Sequence, residues 1–149
     1  MVRALIQRVR RASVAVDDRK MAEIGMGLLA FLGVAAGDGE KETVWLARKT
    51  ANLRIFEDEA GKMNWSVKDT KGEILTVSQF TLYADAQKGN RPSFISAMEP
   101  TGAEKLYRIY TEEIRREGVP VAEGVFGAKM AVELVNWGPV TILLESEKS

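Results

Sequence analysis

A Gly138-Pro139 pair stands inside what is otherwise one long β pattern, and it limits what the end of this chain can form. Residues 130–135 and 140–144 both read as buried strand. Proline has no N–H to give to a ladder, so it belongs at an edge, a bulge or a turn. An X-Pro bond is also the one peptide bond that takes the cis form at modest cost. The local expectation is two strands with a tight turn between them, carrying bare carbonyls and a flat ring. On its own, a Gly-Pro pair is a β-turn and nothing more.

The rest of the chain alternates strands with two helices. Residues 2–16 are rich in Val and Ile and predict a strand, which Asp17-Asp18-Arg19-Lys20 turns back into 21–24 as a hairpin. Residues 27–35 are continuously apolar and predict a strand buried on both faces. Gly37-Asp38-Gly39 breaks the pattern, and Asp38 is the expected cap of a helix over 41–53 that buries Leu46, Thr50 and Leu53. A short strand at 55–56 leads into an acidic turn, whose Glu57-Asp58-Glu59 run lacks the spaced ligands and glycine of a calcium loop. Residues 72–82 read as one strand and 85–92 as a polar loop. Thr101 and Glu104 read as a capping box. The helix they open buries Leu106, Tyr107, Tyr110 and Ile114, and Gly118 with Pro120 ends it. Strands at 121–125, 130–135 and 140–144 complete a mixed α+β pattern with no βαβ rhythm.

Composition removes several chemistries. A chain of 149 residues predicts one domain, 1–149, long enough to bury a real core. The longest apolar run, 26–36, contains glycines and is too short to span a bilayer, and Arg3, Arg8, Arg10 and Arg11 break up the first segment, so neither membrane nor leader is expected. With no cysteine there is no thiolate chemistry and nothing to argue for export, so a cytoplasmic protein is the expectation. With no histidine there is no Ser-His-Asp triad and no imidazole acid or base, and zinc lacks its usual ligands. Catalysis here must use hydroxyls, carboxylates, lysines, backbone groups or the substrate itself.

Net charge is zero, with 21 basic and 21 acidic residues, against the strongly basic balance of a dedicated nucleic-acid coat. Residues 1–56 hold 10 of the basic and 6 of the acidic groups. The basic strip at 3–11 could meet phosphates. Composition favours the plainer reading, a solvated strand edge.

A second segment carries potential chemistry. Ser78-Gln79-Phe80-Thr81-Leu82 closes an apolar strand, where hydroxyls and main-chain N–H groups can face a cleft and hold an oxyanion. Thr81 as a nucleophile would need an activating base, and only a desolvated Lys62 or Lys88 could serve. The plain alternative is that Ser78 and Thr81 satisfy backbone groups at a strand end.

Taken with further segments, the chain resembles the D-aminoacyl-tRNA deacylase family. The shared segments are Ala4-Leu5-Ile6-Gln7-Arg8-Val9, Ala12-Ser13-Val14, Glu23-Ile24-Gly25, Gly27-Leu28-Leu29, Leu32-Gly33-Val34, Arg54-Ile55-Phe56, Gly61-Lys62-Met63-Asn64, Ser78-Gln79-Phe80-Thr81-Leu82, Arg91-Pro92-Ser93-Phe94, and Asn136 with Gly138-Pro139-Val140-Thr141. The residue before the Gly-Pro pair is often small or polar in the family and is Trp137 here. The resemblance implies a small barrel-like structure of mixed β strands with two helices outside, assembled as a homodimer. It implies hydrolysis of the ester joining an amino acid to the 3′ end of tRNA, without cofactor or metal. Ser78, Gln79, Phe80 and Thr81 would form the catalytic segment, and Met130, Asn136, Arg91 and Phe94 would bind substrate. A cis Gly138-Pro139 turn, lent to the pocket of the partner subunit, would be a chiral filter that admits D- and rejects L-aminoacyl groups. Glycyl-tRNA, with only hydrogens at Cα, would escape such a filter. Two other classes remain open at this point: a non-catalytic RNA-end or nucleotide-binding barrel, and a homodimeric interaction protein whose Gly-Pro turn fixes its interface.

Overall fold

The computed structural model describes residues 1–146; the last three residues of the expected 1–149 domain lie outside the described residues. Its organising element is a long first strand, β1 (Arg3–Val16), antiparallel to a last one longer by a residue, β8 (Ala131–Glu145). On its other side β1 pairs first with β3 (Gly27–Gly33) and then with β2 (Arg19–Ile24). From β3 the sheet continues through two parallel neighbours, β6 (Glu73–Ser78) and β7 (Val121–Glu123). A small hairpin, β4 (Phe56–Glu57) with β5 (Met63–Trp65), stands apart. Two helices, α1 (Glu40–Asn52) and α2 (Pro100–Arg116), pack on each other and on one face of the sheet. This is the expected α+β class, a nearly closed, barrel-like mixed sheet with two helices outside.

The centre of the sheet, β3 and β6, is buried on both faces. Leu28, Ala30 and Leu32 of β3 join Leu46, Leu106, Tyr110 and Ile114 of the helices. Leu29, between them, joins Leu75, Val77, Val9 and Val14 in the barrel interior. That double burial is why β3 reads as a continuous apolar run rather than an alternating one.

β1 is not the solvated edge that composition favoured, because it has strands on both sides. Ala4, Ile6 and Arg8 are buried on its helix side, then the phase slips, and Ala12 and Val14 are buried in the barrel interior. The slip falls where the β1–β8 register shifts, between Val9 and Arg11. A bulge adds a residue and so reverses which side chains face inward.

The expected turn at Gly138-Pro139 is also a bulge within one strand. Gln7 pairs with Thr141 and Val9 with Asn136, so residues 137–140 have no partner in β1 and the missing proline N–H costs the ladder nothing. Nor is β8 buried: along its length half-buried and exposed positions alternate, and Leu143 is 50% exposed. Only one of its faces rests on the rest of the sheet.

Three local expectations are corrected. The run 72–82 is strand only to Ser78; Phe80–Tyr83 then coils into a 3-10 turn, with Leu82 N–H donating to the Gln79 carbonyl at 3.2 Å. Asp38 does not cap α1: its carboxylate accepts from Ala35 N–H at 2.6 Å and pairs with the Met1 ammonium at 2.9 Å. Gly39 is the N-cap, and the Glu42 carboxylate accepts from its N–H at 3.1 Å. Thr101 and Glu104 do not cap α2: Glu99 does, accepting from Thr101 and Gly102 N–H groups at 2.8 Å each, with Pro100 opening the helix. A carboxylate one position before a first-turn proline satisfies the same orphan donors as a capping box and complements the dipole.

Candidate active site

The 3-10 turn builds one wall of a cavity of about 500 Å3. β6 delivers Val77 and Ser78 to its edge, and Gln79 anchors the chain there by donating its N–H to the Leu32 carbonyl at 2.8 Å. Gly33 lets the turn settle on β3: a Cβ at that position would lie 2.9 Å from Leu82 Cβ and 3.1 Å from the Gln79 carbonyl oxygen. Phe80 is therefore pushed outward, 54% exposed, and meets Phe94 edge to face with centroids 5.1 Å apart. The two rings form one lip.

The opposite wall comes from the start of α2 and the segment after β7. Met98, Pro100 and Ala103 lie on one side, Phe126, Met130 and Val132 on the other. A buried network holds these walls apart. Tyr107 donates its hydroxyl to the Thr76 carbonyl at 2.8 Å, and the same carbonyl accepts from Gly124 N–H at 2.8 Å. Thr76 Oγ1 lies 3.1 Å from Thr111 Oγ1, and Phe126 packs on the Tyr107 ring at 6.1 Å. Burial pushes the Tyr107 phenol up, opposed by its hydrogen bond to Thr76, so it stays a neutral donor here.

Chemically this is an apolar slot with few polar groups. Ser78 and Gln79 lie on its wall. Gln79 turns its amide to donate to Thr81 Oγ1, which accepts that hydrogen bond and keeps its own O–H. The Phe80 and Thr81 N–H groups precede the first hydrogen bond of the 3-10 turn and have no acceptor among the described residues. Among the described residues no group of three or more carboxylates is placed to hold a metal. Lys62 and Lys88 are both exposed, and neither lines the cavity.

Of the residues singled out in the sequence, Ser78, Gln79, Phe80, Phe94 and Met130 line this one cavity. Thr81 is one residue beyond it and exposed, and Arg91 stands in the preceding loop, also exposed and off the wall. Asn136, Gly138 and Pro139 belong to a different place, the β8 bulge, and none of them lines this chain's cavity. There Asn136 acts as a clamp: its Oδ1 accepts from Val140 N–H at 2.8 Å and its Nδ2 donates to the Val140 carbonyl at 3.2 Å. The Gly138-Pro139 peptide is cis. Gly138 has φ +142, and a Cβ there would lie 2.7 Å from Val140 Cγ2.

Beneath the bulge lies the residue that the sequence reading missed. Arg8 is 3% exposed, donates from Nε to the Trp137 carbonyl at 2.7 Å and from Nη1 to the Ile55 carbonyl at 2.9 Å. Its guanidinium sits over the Trp137 ring at 4.8 Å, and Glu57 lies 3.4 Å away. The signal was available: Arg8 continues the Ala4, Ile6 alternation and so falls on a buried position. Phe126 and Met98 carried no signal, since nothing local says that their segments meet.

A family model described as D-Tyr-tRNA(Tyr) deacylase matches residues 5–145. The chain belongs to the D-aminoacyl-tRNA deacylase family. Two relatives named D-aminoacyl-tRNA deacylase illustrate it. That of Myxococcus xanthus (strain DK1622) is 54% identical over 97% of this chain and 95% of its own length. That of Desulfotalea psychrophila (strain LSv54 / DSM 12343) is 52% identical over 99% of each. A solved structure named c-Myc DNA Unwinding Element Binding Protein superposes with a TM-score of 0.92 at 46% identity, over 98% of this chain and 99% of that one. A structure titled as a probable eukaryotic D-amino acid tRNA deacylase shares the fold, with a TM-score of 0.83 at 17% identity. Deacylase-family membership makes the chain a hydrolase and removes the purely structural reading.

Proposed function

We propose that this chain hydrolyses the ester of D-aminoacyl-tRNA, acting on the aminoacylated 3′ end and releasing free D-amino acid and tRNA. The observation that carries the reading is the apolar cavity ending at Ser78-Gln79-Phe80, in a chain whose relatives bear that name. Its size and aromatic lip suit a terminal adenosine, with Phe94 and Met130 against the base and Arg91 near the sugar-phosphate. The Phe80 and Thr81 N–H groups polarise the ester carbonyl, and Ser78 borders the same spot. Without an imidazole, attack falls to a water assisted by the neighbouring ribose hydroxyl, and an already labile ester needs little more.

Chirality is decided by shape. A rigid backbone set where an L side chain would point rejects L-aminoacyl groups and admits D. The Gly138-Pro139 bulge supplies such a backbone, and it lies off this chain's own cavity, so it reaches a cavity only as part of a second copy. A homodimer with each bulge in the other's site meets that requirement, with Asn136 and Arg8 holding the bulge in shape. Glycyl-tRNA passes the same filter. No helix among the described residues is long and apolar enough to cross a membrane, and the cytoplasm is where charged tRNA is met.

The test is ester loss from matched D-tyrosyl-tRNA, L-tyrosyl-tRNA and glycyl-tRNA, with chelator present and duplex DNA as a competitor. Loss of the D and glycyl forms with the L form spared supports the reading. No acceleration refutes it in favour of a binding protein. Equal loss of D and L forms refutes the backbone filter, and strong inhibition by duplex DNA favours the DNA-binding property named for the relative of known structure.

A further inference from the structure

The cavity holds about 500 Å3, enough for one nucleoside with its aminoacyl group, so the rest of a polynucleotide must leave it across the rim. The rim is electrostatically lopsided. The aromatic lip continues from Phe94 back into the loop 85–92, which lies off the wall and whose ends are tied by mutual Asp85 and Ser93 backbone hydrogen bonds at 2.8 Å. It carries Lys88 and Arg91. The other lip, 124–130, carries Lys129 between the wall residues Ala128 and Met130, and holds no acidic residue. Lys88, Arg91 and Lys129 are exposed and have no ion pair among the described residues. The one carboxylate on these lips, Asp85, is turned to the Gln87 N–H at 3.0 Å.

The third side is the reverse. Beyond Met98, which lines both, a second cleft presents Glu40 and Glu99 against one lysine, Lys105, while Asp38 on its wall is paired with the Met1 ammonium at 2.9 Å. That cleft also receives the starts of both helices; Glu99 accepts from the Thr101 and Gly102 N–H groups of α2, and Glu42 from the N-cap Gly39 N–H of α1. Each phosphodiester carries a full negative charge, and unpaired cations attract it while an acidic cleft repels it.

We infer that the strand leading to the bound 3′ end leaves the cavity between the Lys88–Arg91 and Lys129 lips, its first phosphates held there, and is turned away from the Glu40–Glu99 cleft. This rests on the ester-hydrolase reading above. These residues position the strand; they do not touch the reacting ester.

The test compares Lys88→Ala with Lys129→Ala in one variant against Lys105→Ala, on D-tyrosyl-tRNA and on the 3′-D-tyrosyl ester of adenosine, which has no phosphodiester. For the double variant, KM for the tRNA rises about tenfold near 0.1 M salt, kcat holds, and the dependence of log kcat/KM on log salt flattens by about 1.4, roughly 0.7 per lost phosphate contact. The loss on the adenosine ester is far smaller, and Lys105→Ala leaves the tRNA KM unchanged. An unaltered KM and salt slope in the double variant overturns the inference, as does an equal loss on both substrates. A rise in KM with Lys105→Ala alone sends the strand over the other side and overturns it too. If wild-type protein cleaves neither substrate, it is the hydrolase reading that fails.

Discussion

Arg8 shows how one buried cation can hold two distant backbone segments. Its planar fork reaches the Trp137 and Ile55 carbonyls at once, 2.7 and 2.9 Å away, while Trp137 lies on its face. Removing it leaves two inward carbonyls without their donor. Arg8→Ala should therefore lower stability by about 2–4 kcal/mol in urea unfolding, with Arg8→Lys between the two because an ammonium cannot copy the fork. In the deacylation assay, Arg8→Ala should lose D over L selectivity more than its rate on the D form. Thr81 makes the opposite case. Its oxygen accepts from Gln79, with no base beside it, so Thr81→Ala should keep most of the activity on D-tyrosyl-tRNA. A loss as large as that from disrupting the whole Ser78–Phe80 segment would make Thr81 a covalent nucleophile.

At the level of elements, the cavity depends on where two short segments stop being regular. β6 ends at Ser78 and the chain tightens into a 3-10 turn; α2 begins at Pro100, with Glu99 gathering its first donors. Both are wall-building events, since Phe80, Pro100 and Ala103 all face the cavity. Glu99→Ala should cost about 1 kcal/mol of stability, the usual worth of an N-cap, read as a lower midpoint in chemical unfolding. Because it frees the start of α2, it should also raise KM for substrate. β8 shows a strand accepting proline by looping four residues out of register. Asn136 closes that loop on Val140, so the strand resumes in phase with β1 at Thr141.

For the whole molecule, the pattern of titrating groups sets the pH response. With no imidazole in the chain, the notable shifts lie at the extremes. All three tyrosines are buried, and burial raises the phenols of Tyr83, Tyr107 and Tyr110, the last fully enclosed beside Thr50. A raised folded-state value means the neutral form is favoured in the fold. Stability from these groups is whole below the ordinary phenol value of 10.0 and falls as pH climbs through it toward the folded values. Tyrosine ionisation followed at 295 nm should thus coincide with loss of far-ultraviolet circular dichroism above about pH 10. Tyr110→Phe should make that alkaline fall shallower. Ionisation without unfolding would show that the phenols are reachable in the folded state.

Periodicity and punctuation alone determined the α+β class, the β1–β2 hairpin, the doubly buried β3 and the inward face of α2, because each depends on spacing within one segment. The segment at 78–82 and the Gly138-Pro139 pair stood out for the same reason, as local breaks in a local pattern. Tertiary structure decided the rest. Only the pairing of β1 with β8 turned the expected turn into a bulge and gave the buried Arg8 its partners, the Trp137 and Ile55 carbonyls. Only the folding of α2 and the 124–130 segment against β6 brought Met98 and Phe126 to the same cavity as Ser78. Helix caps shifted by a residue or two, since Asp38 and Glu99 competed for different backbone donors once the chain was compact. Contacts between segments far apart in the chain leave no periodic trace in either one, and the cavity is made of such contacts.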